Sequence, residues 1–134
     1  MDQQANEELM MKASLIERHS QELGEKIEYL SQQLAELQEF KKNLDFISDS
    51  KENKMFALVG KGVYVKSSLE EKKFFVNVGA GVILKKTPEE TKEIIASQIT
   101  QFHEAKSRMM AQMEIYNNLL SKTISEINSN SKNS

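Results

Sequence analysis

The sequence predicts an α+β chain: a long antiparallel α-helical coiled-coil hairpin with two inserted β-hairpins that form a small sheet or barrel part. Three observations carry that prediction. Leu9, Ile16, Leu23, Leu30, Leu37 and Leu44 recur every seven residues. Thr87-Pro88-Glu89-Glu90 opens a second heptad-patterned stretch. Between the two lie strand-like segments around paired glycines, repeated at an offset of nineteen.

Helix one is expected over residues 5–48. The leucine series supplies the d positions, and Ala13, Ser20, Ile27, Leu34 and Lys41 supply the a positions, so the seam is mostly apolar over five heptads. Gly24 costs about 1 kcal/mol relative to Ala inside a helix and reads as a tolerated defect. Residues 51–86 come next. Phe56-Ala57-Leu58-Val59-Gly60-Lys61-Gly62-Val63-Tyr64-Val65-Lys66 aligns with Phe75-Val76-Asn77-Val78-Gly79-Ala80-Gly81-Val82-Ile83-Leu84-Lys85, each reading strand, Gly-x-Gly, strand. The polar run Glu70-Glu71-Lys72-Lys73 joins the copies. Neither glycine pair is a phosphate loop, because no third glycine, no Lys-Ser/Thr and no helix start follows.

Helix two is expected over residues 88–128, with Thr87 as N-cap, Pro88 at the first helical position and Glu90 closing a capping box. Its d positions are Ile95, Phe102, Met109, Tyr116 and Thr123; its a positions are Ile99, Lys106, Met113, Leu120 and Ile127. Residues 129–134 read as a disordered polar tail. Equal helix lengths around a returning centre call for antiparallel pairing in one domain over residues 1–134. The polar seam residues Ser20, Lys41, Lys106 and Thr123 are expected to set register. Four short strands alone make too small a sheet, so related subunits are expected to complete it.

Composition narrows the function. Among 134 residues there are no Cys and no Trp, 18 Lys plus Arg, 20 Asp plus Glu, and 7% aromatic residues. Disulfides, thiolate metal sites and a Cys nucleophile are thereby removed. His19 and His103 have no His or Cys partner at ligand spacing, and no acid-base or nucleophile constellation is present, so no enzyme, metal or cofactor is expected. No apolar run approaches a membrane span, and an intracellular, cytoplasmic protein is expected. Residues 51–86 carry eight lysines against three glutamates, net +5, between acidic flanks of −4 (5–48) and −2 (88–128). With two arginines and no basic-aromatic stripe, these lysines read as keeping strand faces soluble, with no nucleic acid bound.

Apolar residues outside the seams mark the candidate sites. Met10, Met11 and Leu15 on helix one, and Met110, Ile115, Leu119 and Ile124 on helix two, exceed what pairing requires. Methionine suits a surface that adapts to many shapes; a wider stripe for one fixed partner helix or a tip fold-back is the alternative.

Gly62-Val63-Tyr64-Val65-Lys66, Val76-Asn77-Val78-Gly79-Ala80-Gly81-Val82 and Lys85-Lys86-Thr87-Pro88-Glu89-Glu90, set between two long helices, resemble the prefoldin family in its α-type subunit, over nearly the whole chain. Val59-Gly60 departs from that family, whose members often carry a proline after the first strand's valine. The resemblance implies a hexamer of two α-type and four β-type subunits, with a double β-barrel body and six coiled coils. It implies an ATP-independent molecular chaperone, a holdase that captures unfolded polypeptides at the coiled-coil tips and delivers them to a group II chaperonin. The off-seam tip residues would then hold clients. Phe56, Leu58, Val63, Tyr64, Val65, Phe74, Val76, Val78, Val82 and Leu84 on the strands would form the assembly surface, and Phe40, Phe46, Ile47 and Ile94 at the arm bases would dock on the body. The rival is a coiled-coil tether that binds one folded partner.

Overall fold

The computed structural model describes residues 2–132. Along the chain run α1 (Asp2–Asp49), β1 (Lys54–Gly60), β2 (Val63–Ser68), β3 (Phe74–Gly79), β4 (Val82–Lys86) and α2 (Pro88–Lys132). The contacts divide it into two units. Unit one comprises the outer stretches, up to Leu34 and from Gln101 onward; unit two is Ala35–Thr100.

In unit one the seam is legible in the burial. Ile16, Ser20, Leu23, Leu30, Leu34 and Thr123 are buried, and Leu9, Ala13, Ile27, Phe102, Met109, Met113, Tyr116, Leu120 and Ile127 are half-buried. The helices run antiparallel: Ser20 Oγ donates to Asn117 Oδ1 at 2.9 Å, and Asn130 Nδ2 donates to Asn6 Oδ1 at 3.3 Å. His19 and Tyr116 stack with centroids 5.7 Å apart. The two buried polar side chains of the seam are therefore satisfied, Ser20 across the helix pair and Thr123 by donating to its own helix at the Leu119 carbonyl, 2.8 Å away. The core is thin, and no large side chain among the described residues is completely sealed from solvent.

Both helices exceed their expected limits. α1 begins at Asp2, and α2 continues to Lys132 where a tail was expected from residue 129. Neither Gly nor Pro stops α2 there, and Asn130 has a partner on α1, which offsets the fraying that a polar end otherwise favours. Asn133 and Ser134, the rest of the expected tail, lie outside the described residues.

Unit two starts α2 as the sequence predicts. Thr87 Oγ1 accepts from the Glu90 amide at 3.2 Å, while Glu90 Oε1 accepts from the Thr87 hydroxyl at 3.0 Å and amide at 3.4 Å. This reciprocal capping box satisfies otherwise unpaired donors at the helix start. It also holds the Glu90 carboxyl below its ordinary pKa, chiefly through the Thr87 hydroxyl. Lys92 Nζ meets Asp45 Oδ1 at 3.0 Å, setting the helix ends antiparallel within this unit as well. Lys41, expected to set register in the seam, is exposed; a solvated ammonium escapes the desolvation cost of a seam position.

The strands form two separate two-stranded sheets, β1-β2 and β3-β4, instead of one four-stranded sheet. Each hairpin turns on two residues with positive φ: Lys61 (36°) with Gly62 (79°), and Ala80 (51°) with Gly81 (75°). That geometry follows the strand twist, as in a type I′ turn. Each has a register shift just before the turn, between Leu58 and Gly60 and between Asn77 and Gly79. The sequence repeat is therefore a structural repeat, and the departure at Val59-Gly60 leaves the first turn like the second.

Candidate functional site

Two apolar surfaces emerge, one in each unit. In unit one every off-seam residue singled out from the sequence is exposed: Met10, Met11, Leu15, Met110, Ile115, Leu119 and Ile124, with Met11 at 73%. The reason is geometric, since a helix pair buries only its facing stripe and leaves the remaining positions in water. Tyr29 is also exposed, alone on its stretch of α1.

In unit two, Phe56, Leu58, Val63, Tyr64, Val65, Val78, Val82 and Leu84 are exposed. Phe74 and Val76 differ. They are half-buried and line a cavity of about 470 Å³ with Phe40, Leu44, Ile47, Thr91, Ile94 and Ile95. Phe75 and Asn77 line the same cavity but stay exposed, so β3 lies along the chain's own helix ends with Phe74 and Val76 the more covered. Lys72 strengthens the attachment by donating to the backbone carbonyls of Ser48, at 3.2 Å, and Ser50. Of the arm-base residues, Phe46 stays 75% exposed, whereas Ile47 and Ile94 are half-buried at that cavity.

Three exposed strand residues, Val59, Phe75 and Ile83, were not among the individual residues named from the sequence. The signal for them is the run of consecutive apolar residues: in a strand, neighbours face opposite sides, so Leu58-Val59 and Ile83-Leu84 put grease on both faces at once. Asn117 and Lys72 were also missed, because each gains its role only from a distant partner.

Cross-strand pairs place Lys54, Phe56 and Leu58 on one face of the first hairpin with Ser68, Lys66 and Tyr64. The other face carries Met55, Ala57, Val63, Val65 and Ser67. Met55 and Ser67 are half-buried and the other residues of both faces are exposed, and a two-stranded ribbon with apolar residues on both sides is marginal in water by itself. Chemically these surfaces offer apolar contact and open strand edges. Among the described residues no cluster of three His, Cys, Asp or Glu side chains is placed to hold a metal, and no helix is long and apolar enough to cross a membrane.

Comparison with known proteins agrees with this architecture. No match is found among curated proteins. The cryo-EM structure of filamentous PFD from Methanocaldococcus jannaschii is similar in fold, with a TM-score of 0.74 over 86% of this chain and 98% of that one, at 19% identity. The family model described as "Prefoldin subunit" matches residues 5–132. Heptad-paired helices, two Gly-x-Gly hairpins between them and a match over almost the entire chain place it in the prefoldin family, a family of non-enzymatic, chaperone-type subunits that assemble into oligomers.

Proposed function

We propose that the chain is an α-type prefoldin subunit acting as an ATP-independent holdase in the cytoplasm, built with β-type partners into a hexamer of two α-type and four β-type subunits. It captures unfolded polypeptides and delivers them to a group II chaperonin. The α-type assignment is supported by two hairpins where the β-type has one. The observation that carries the holdase reading is the exposure of Met10, Met11, Leu15, Met110, Ile115, Leu119 and Ile124 beside a seam already filled without them.

Clients are held by many weak apolar contacts from several arms. Avidity then replaces a deep pocket, and release requires no nucleotide. Three exposed methionines suit this work because an unbranched thioether side chain reshapes itself to each client at little cost. The strands provide assembly, with the exposed residues from Phe56 to Val65 and from Phe75 to Leu84 meeting neighbouring subunits.

The test replaces Met10, Met11, Leu119 and Ile124 with Ser. Suppression of aggregation of two chemically unrelated denatured proteins should be lost, while the assembled mass by native mass spectrometry stays the same. Undiminished suppression refutes the reading. A tether for one folded partner would protect neither client even in the wild type.

A further inference from the structure

We infer that the first hairpin, β1-β2, selects a carboxylate-bearing strand from a chain of different sequence and disfavours the same hairpin of a second copy. The inference rests on the assembly role proposed above and names the chemistry of the partner. Its basis is a difference between the two copies of the internal repeat.

In each copy a phenylalanine stands directly across from a lysine, Phe56 opposite Lys66 and Phe75 opposite Lys85. In the second copy the lysine is neutralised: Lys85 pairs with Glu71 and lies 5.9 Å from the centroid of the Phe75 ring. The Lys85 hydrogen bond is the main reason the Glu71 carboxyl is held below its ordinary pKa. Nineteen residues before Glu71 stands Glu52, so the first copy has the same three residue types. There the pair is not made. The Glu52 amide donates to Ser50 Oγ at 3.2 Å, and Glu52, Lys54, Phe56, Lys66, Ser67 and Ser68 line an open cavity of about 480 Å³.

Among the described residues Lys54, Lys61 and Lys66 have no salt bridge. Lys54 and Lys66 rim the face whose centre is Phe56, Leu58 and Tyr64, all exposed, and Lys61 sits at the turn. Burying that centre brings the rim cations close to whatever covers it. A second copy of the same hairpin offers three lysines against the single Glu52, and like charges brought opposite one another in a sheet are destabilising. A strand with carboxylates at the matching positions turns the same rim into attraction, so the lysines act by excluding the wrong partner as well as by favouring the right one.

The experiment uses the full chain as its own acidic probe. A K54E/K61E/K66E variant is mixed with the wild type, and the oligomers are resolved by native mass spectrometry. At about 0.05 M salt, the ratio of mixed to unmixed species should exceed the statistical ratio roughly tenfold, and the excess should shrink at about 0.5 M salt, where the screening length falls below about 5 Å. A K54Q/K61Q/K66Q variant, which keeps side-chain size but removes charge, should associate with the wild type more readily than the wild type does with itself, and without the tenfold preference. Association with statistical mixing at both salt concentrations overturns the charge rule and leaves the assembly role standing. Absence of association in every mixture overturns the inference, whereas the assembly role falls only if the chain also fails to gain mass when mixed with a β-type subunit.

Discussion

The two units expose similar kinds of surface with different side chains. In unit two the exposed large apolar residues are aromatic or β-branched, Phe40, Phe46, Phe56, Val59, Val63, Tyr64, Val65, Phe75, Val78, Val82 and Ile83, apart from Leu58 and Leu84. In unit one they are led by Met10, Met11 and Met110, with Leu15, Leu119, Ile115, Ile124 and Tyr29. Stiff side chains lose little rotamer freedom on contact and fit one shape; long unbranched ones lose more and fit many. The difference teaches that exposed grease is not one category. Rigid grease suits a fixed subunit neighbour, and adaptable grease suits a client with no fixed structure.

The largest expected effect breaks the rigid side of that contrast. Changing Phe56, Leu58 and Tyr64 together to Ser should abolish assembly, read as collapse of the oligomer mass, with helical circular dichroism retained because none of the three is in a helix. An intact oligomer would show that the hairpin faces are not the contact. A sharper test concerns the adaptable side. Met10, Met11 and Met110 changed to Val should keep much of the apolar area but narrow the range of clients protected, whereas changes to Leu should preserve it. Equal breadth for both sets would remove flexibility from the explanation.

Next in size is the packing that unit two keeps for itself. Leu44 is only 2% exposed and shares the cavity wall with Phe74 and Ile95. Leu44→Ala should cost about 2–4 kcal/mol in denaturant unfolding, through lost burial and an enlarged void. A comparable truncation at exposed Leu15 should cost almost nothing while reducing client protection.

Much of the fold was legible in the sequence because it rests on short-range rules. A seven-residue period, a Thr-Pro-Glu-Glu start and a nineteen-residue repeat each state their geometry locally. What escaped is tertiary. Met55 and Ala57 occupy the repeat positions of Phe74 and Val76, and nothing local says that only the second pair lies along the helix ends. The far end of α2 reads as a tail until Asn6 is placed beside Asn130. The candidate tip residues were legible for a different reason: once the seam is assigned, every apolar side chain left over on a two-helix pair has only water to face.

Smaller effects distinguish the hairpins from each other. Gly79 has φ of 119° and Gly60, its repeat partner, has no positive φ, and at neither would a Cβ meet an atom within 4 Å. Gly79→Ala should therefore destabilise by about 1–2 kcal/mol through backbone strain alone, with Gly60→Ala close to neutral. Unit two also holds the groups that respond to pH. The folded-state pKa values of Glu71 and Glu90 are depressed by Lys85 and Thr87, so their contribution is complete above the ordinary 4.5 and lost as pH falls through the lowered values. Lys92 is raised by Asp45, so its contribution is complete below 10.5 and lost above. Acid should loosen unit two, seen as weakened hydrogen-exchange protection around Thr87, before it touches the seam of unit one. Glu71 and Glu90 are exposed and Lys92 is half-buried at the surface, so solvent screening keeps the change small.

The smallest effect decides what Gly24 does. A Cβ built there would meet the Met113 Cε at 3.9 Å, an ordinary contact with the end of a flexible side chain. The helix can therefore accept alanine, and Gly24→Ala should raise stability by about 0.5–1 kcal/mol by reducing the freedom of the unfolded chain. If the glycine is a defect tolerated by a long helix, client protection is unchanged while the melting temperature rises. If it is a hinge that lets the adaptable surface close on a client, the same stabilisation lowers protection. Measuring both on one variant separates a side-chain account of adaptability, based on methionine, from a backbone account based on bending.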